Sequence, residues 1–200
     1  MPPRRWRRAA VAWVLLVAAS LAACGRPEPP RVMGAIETYA LTASTGEAFG
    51  SAELAGVPYV VNFFFTSCGT VCPPIMAEMG AIGDGLAARG NPTRLVSITV
   101  DPENDSPARL AEYAKKLEAD PVRWSFLTGS YPLVKEVVVK RLMTHMGEAE
   151  AGPGGLVDIA HGSHALVIDA AGRLRGVHEP VAEGREDLLD TLDFLASEGR

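Results

Sequence analysis

The sequence predicts an α/β fold, a three-layer sandwich around a central mixed sheet. Three observations carry this. Segments of alternating or unbroken apolarity and segments of helical periodicity follow one another in the order β-α-β-α-β-α-β-β-α. Val60-Val61-Asn62-Phe63-Phe64-Phe65 is nearly all apolar, as a central strand is when both its faces are covered. Directly after it come a short Gly-containing loop and Pro73-Pro74, and proline suits the first turn of a helix, where its missing N–H would have had no partner. The 200 residues, 48% hydrophobic and 22% charged, are enough for one domain with its own core.

Each element has its own signal. Residues 35–42 and 46–55 read as a hairpin-like lead-in turning at Ser44-Thr45-Gly46. The strand 59–65 follows Gly56-Val57-Pro58. Ile75, Met79, Ile82 and Leu86 share one helical face, and that helix ends near Gly90. Residues 94–100 alternate and are β-branched, so they form a strand. Asp101-Pro102-Glu103-Asn104-Asp105 is turn chemistry, and Ser106-Pro107 supplies an N-cap and a first helical residue for the helix carrying Leu110, Tyr113, Ala114 and Leu117. Trp124 to Leu127 is a short strand. Val134, Val138 and Leu142 mark a helix over 131–142. Residues 143–155 are Gly-rich and read as an irregular loop of the kind that often carries function. Two strands, 165–168 and 174–178, turn at Asp169-Ala170-Ala171-Gly172. An amphipathic helix with Leu188, Leu192 and Leu195 closes the chain. With two thiols placed at the carboxyl end of the first core strand, this order resembles the thioredoxin fold, where such strand ends hold the active groups.

The N-terminus reads as a targeting segment. Arg4, Arg5, Arg7 and Arg8 precede an apolar stretch, Ala9 to Ala22, of about fourteen residues, short of the roughly twenty a spanning helix needs. Leu21-Ala22-Ala23-Cys24 closes it and resembles the bacterial lipobox, which implies a signal peptide over 1–23, a lipid anchor on Cys24, a Pro-rich tether over 24–33 and a folded domain over 34–200. The expected location is therefore extracytoplasmic and membrane-anchored, where disulfides persist. The net charge of −5 becomes still more negative once the four arginines are lost, which argues against nucleic acid as a partner.

Of the three cysteines, Cys24 is thus set aside, and Cys68 and Cys72 remain as a pair in the spacing CxxxC. Thiols at a helix start are biased towards thiolate. A disulfide closing so short a loop removes little unfolded-state entropy, so a purely structural bridge is a poor explanation. Two thiolates make a soft site suited to Cu(I), and imidazole is the usual companion. His161 and His164, ahead of the last core hairpin, are the candidates; spacing alone does not choose between them. Met143-Thr144-His145-Met146 offers further soft donors, but the simpler expectation is that Met143 packs at the helix end and the other three are solvated. Met76 and Met79 are expected in the core, as is Trp124. His145 and His178 are expected to be plain surface residues, and Asp101 and Asp105 to be turn and cap residues.

The resemblance then becomes more specific. Thr66-Ser67-Cys68-Gly69-Thr70-Val71-Cys72-Pro73, Val100-Asp101-Pro102-Glu103-Asn104-Asp105-Ser106-Pro107, Trp124-Ser125-Phe126-Leu127-Thr128-Gly129, and His161 placed ahead of Asp169 and Gly172 are similar to the Sco/SenC family. That family comprises copper chaperones for cytochrome c oxidase assembly. The resemblance implies a copper ion held by Cys68, Cys72 and His161, with His164 in reserve, and delivery to the dinuclear copper site of oxidase subunit II. Many members have Asp before the histidine where this chain has Ala160. A second expectation is a thiol–disulfide reductase in which Cys68 and Cys72 form a redox pair acting on that partner's cysteines. A peroxidase of the peroxiredoxin type is set aside, because Val61 and Phe65 stand where that family has Pro and Thr.

Overall fold

In the computed structural model, which describes residues 29–151 and 157–198, the strands are β1 (Gly34–Ala35), β2 (Ala40–Ala43), β3 (Ala48–Gly50), β4 (Tyr59–Phe64), β5 (Arg94–Thr99), β6 (Trp124–Thr128), β7 (Met146–Ala151), β8 (Val157–His161), β9 (Ala165–Ile168) and β10 (Arg173–His178). The helices are α1 (Cys72–Ala88), α2 (Pro107–Lys116), α3 (Tyr131–Glu136, continued by a π-helical turn over Val137–Arg141) and α4 (Arg185–Glu198). The expected signal segment, Cys24 and the first half of the expected tether, residues 24–28, lie outside the described residues.

The main sheet has the order β1-β10-β9-β4-β5-β6-β2-β3. β4, β5 and β6 are parallel; β9 runs antiparallel to β4, and β2 antiparallel to β6. The sheet is therefore mixed and the fold thioredoxin-like, as the order of elements predicts. All six residues of β4 are buried, so both faces of the sheet are covered. Its Asn62 joins a buried polar chain. Asn62 Oδ1 accepts from Ser97 Oγ at 2.6 Å, whose oxygen accepts from Trp124 Nε1 at 2.8 Å, while Asn62 Nδ2 lies 3.3 Å from Met76 Sδ. Every member thus has a partner, which makes a polar core tolerable. Met76 and Met79 are fully buried, as expected.

α1 packs on α4 so closely that a Cβ at Gly85 would stand 2.7 Å from Leu189 Cδ1. Arg185 pairs with both Glu78 oxygens at 2.6 Å across the same seam. Arg175 is the extra residue of a bulge between β9 and β10. Its guanidinium donates to Asp169, Glu198 and the Pro30 carbonyl, so residue 30, expected in the tether, is tied to the last helix.

Two segments depart from the sequence reading. The lead-in holds the expected hairpin, β2–β3, turning at Ser44-Thr45-Gly46, but its first residues do not belong to it: Ala35 pairs with Arg173 at one edge of the sheet, and the chain then crosses to pair Ala43 with Leu127 near the other. The expected irregular loop after Leu142 instead contains the hairpin β7–β8, a two-stranded unit apart from the main sheet. Met-Gly-Glu-Ala-Glu-Ala in β7 carries no β-branched or aromatic residue, so propensity gives no sign of a strand there.

Candidate metal-binding dithiol site

β4 ends at Phe64, and α1 begins at Cys72 with proline in its first turn. Between them the loop presents Cys68, half-buried, and returns to Cys72, fully buried; both thiols are free. Val71 is the N-cap and has no side chain able to cap, and α1 has no acidic residue in its first turn. A sulfur takes that place: the Cys72 N–H donates to Cys68 Sγ at 3.4 Å. The helix start and the dithiol are therefore one local structure, with an orphan N–H satisfied by the thiol four residues earlier.

The two sulfurs are inequivalent. Burial pushes the Cys68 thiol up, but hydrogen bonds from the Cys72 thiol and from backbone N–H groups of Thr70, Cys72 and Val71 outweigh it and hold Cys68 below the ordinary thiol value. Burial pushes Cys72 up to about 12, reinforced by the bond it gives Cys68 and by the negative charges of Cys68 and Asp105. Cys68 is the thiol biased towards thiolate, and Cys72 is the one that keeps its proton.

Asp105, read from sequence as a turn residue, does more. It is fully buried and accepts from the Thr66 N–H at 3.0 Å, from Thr99 Oγ1 at 2.5 Å and from the Thr66 hydroxyl. Arg109 Nε donates to Thr66 Oγ1 at 2.7 Å from the first turn of α2. This clamp fixes the residue two before Cys68. The spacing Thr66 to Asp105 spans 39 positions, so only the fold reveals it. Asp101 keeps its turn role, with Asn104 Nδ2 at 3.0 Å from both its oxygens, and Ser106 caps α2 by accepting from the Arg109 N–H.

His161 ends β8. Its ring meets Phe65 edge-on at 6.0 Å between centroids, and its Nδ1 lies 2.9 Å from the Gly162 carbonyl. Phe65 is the residue at which β4 passes into the dithiol loop, so the hairpin brings His161 to the end of the sheet that carries the cysteines. Gly162 makes this closure possible: a Cβ there would collide with the Thr144 hydroxyl, while its N–H donates to the His145 carbonyl at 3.3 Å. His164 is exposed, with Nε2 3.9 Å from Glu179. Ala160 is exposed as well. Among the described residues, no three His, Cys, Asp or Glu side chains stand together as a metal-holding cluster. The two thiols are assembled, and His161 is held against Phe65, three residues ahead of Cys68.

The methionines of the 143–146 segment reverse the sequence reading. Met143 is 57% exposed, held at φ 53°, whereas Met146 is 4% exposed and belongs to the core. Met146 stands opposite His161 across the hairpin. His178 is half-buried, and burial lowers its pKa.

Comparison with known proteins points to one family. The SCO1/SenC family model matches residues 29–196. A SCO1 protein homologue of Bacillus subtilis is 29% identical over 140 residues, 70% of each chain. The crystal structure of a SCO1/SenC family lipoprotein from Bacillus anthracis superposes with a TM-score of 0.75 at 26% identity, covering 86% of this chain and 99% of that one. The copper-bound structure of ScoI from Bradyrhizobium japonicum superposes with a TM-score of 0.69 at 22% identity, covering 80% of this chain and 99% of that one, a likeness of fold.

Proposed function

The chain belongs to the SCO1/SenC family, and from that premise we propose that it is a membrane-anchored, extracytoplasmic copper carrier acting in cytochrome c oxidase assembly. Copper is its cargo. Cys68 and Cys72 are the thiolate donors and His161 the imidazole donor, delivering the ion to the dinuclear site of oxidase subunit II. The observation that carries this is the sulfur-capped helix start, where two thiols converge and one is already biased towards thiolate. The donor set fits: two sulfurs and an imidazole suit a soft ion, and the His161 ring packs on Phe65, which leads into the dithiol loop. Cys72 must release its proton when metal binds, so uptake is coupled to proton loss. Delivery proceeds by ligand exchange, incoming thiolates replacing Cys68 and Cys72 one at a time. Anchoring is read from Leu21-Ala22-Ala23-Cys24, in keeping with the Bacillus anthracis lipoprotein of this family.

The thiol asymmetry favours a second activity at the same site. Cys68 thiolate attacks a partner disulfide, and one partner sulfur leaves as thiolate and takes up a proton. Cys72, once deprotonated, attacks Cys68 sulfur and frees the second partner thiol. Two electrons pass to the partner, and Cys68–Cys72 is left as a disulfide. His161→Ala separates the two activities. It is expected to weaken copper binding by 10-fold or more, of the order known for lost donors and their supports, and to leave the dithiol redox potential unchanged. Unaltered copper affinity in that variant would remove His161 from the donor set.

A further inference from the structure

Met146 and His161 are direct cross-strand partners in the β7–β8 hairpin. Such partners point to one face, with Cβ atoms about 5 Å apart. Ile159, two positions from His161, lies on the same face of β8. Met146 and Ile159 are each 4% exposed, so this face is the one laid on the body of the domain. There the His161 ring meets Phe65, three residues ahead of Cys68. The Met146 side chain therefore accompanies the imidazole on the docked face, while the exposed Met143 does not share it. Leucine would fill a packing position equally well. What methionine adds is a neutral, polarisable sulfur, a donor for Cu(I) rather than Cu(II).

We propose that Met146 is a thioether donor that tunes the dithiol–imidazole site towards Cu(I). This rests on the copper reading above. The thioether adds a soft donor without adding negative charge beside the two thiolates, so its contribution falls on the reduced ion.

The test compares full-length wild type, Met146→Leu, Ile159→Ala and His161→Ala in detergent, titrating Cu(I) against a bicinchoninate competitor and Cu(II) separately, with melting temperatures recorded. Met146→Leu conserves volume and apolarity. It is expected to lower Cu(I) affinity about tenfold while Cu(II) affinity and melting temperature stay at wild-type values. Ile159→Ala, which loosens the hairpin, is expected to weaken both ions together. Unchanged Cu(I) affinity in Met146→Leu overturns the proposal, as does an equal loss for both ions, which is the signature of undocking. If His161→Ala loses copper and Met146→Leu does not, only the thioether role fails. If wild type binds neither ion, the copper reading fails with it.

Discussion

At Cys68 and Cys72 the same side chain meets two environments. One sulfur accepts the first N–H of a helix, and the other is buried. In reduced, metal-free protein at neutral pH, limiting iodoacetamide is expected to label Cys68 well before Cys72, read by peptide mass mapping; equal labelling would contradict the assignment. The same asymmetry gives stability a pH dependence with a defined sign. Cys72 holds its proton up to about 12 in the folded state, against an ordinary value of 9.0. Above pH 9 the unfolded chain releases that proton and the folded chain does not, so stability declines as pH rises from there. Cys68, lowered in the folded state, contributes in the opposite direction and below pH 9. Cys72→Ala is expected to flatten the alkaline decline in urea-unfolding experiments. The thiols, their spacing and the Pro-started helix were all legible in the sequence, because they are contiguous. The clamp of Asp105 on Thr66 was not, because hydrogen bonds across 39 positions leave no local pattern.

At the scale of elements, the hairpin β7–β8 determines where His161 stands. Its closure depends on Gly162 crossing Thr144 without a Cβ. Gly162→Ala is expected to weaken copper binding several-fold although it alters no donor, and Thr144→Ala in the same chain is expected to restore it by clearing the space. Copper titration of the single and double variants checks this coupling; no recovery in the double variant would mean that the crossing is not what positions the histidine. The sequence predicts a loop here because residues 143–155 are Gly-rich and β7 carries no strand-forming residue. Strand pairing is imposed instead by Met146 and Ile159, which have an apolar surface to cover. The helix over 131–142 was read correctly in extent, but its second half widens to π geometry. The Leu142 N–H reaches the Val137 carbonyl, five residues back, in a run that includes Val137-Val138-Val139. The spacing of four between Val134, Val138 and Leu142 keeps their side chains in the core through that wider turn.

For the whole molecule, the order of strands and helices was legible because buried parallel strands are apolar runs and crossover helices keep their period. The path between β1 and β2 was not, since a two-residue strand at an edge carries no pattern. What holds that edge is the buried pair of Arg175 and Asp169, each with 4% of its side chain exposed. Burial pushes the Asp169 carboxyl up, but bonds from Arg175, the Arg173 backbone and side chain, and the Ala171 N–H prevail and lower it. The stability this gives is present above the ordinary carboxylate value of 3.8 and is lost as pH falls through the lower folded value. Asp169→Asn is expected to cost about 3 kcal/mol at neutral pH, the scale of a broken buried pair. The gap to wild type should narrow below pH 4, read from urea midpoints at several pH values. A constant gap would mean that shape and not charge is what Asp169 supplies.

In the proposed carrier, Cys68, Cys72 and His161 together hold one copper ion. Copper content and affinity of the full-length reduced protein in detergent test it most directly, with wild type set beside Cys68→Ala, Cys72→Ala and His161→Ala. One copper per chain, abolished by loss of either cysteine and weakened by loss of His161, is the predicted result. A wild-type protein that binds no copper yet titrates as a clean dithiol would contradict it and leave thiol–disulfide exchange as the work of the site.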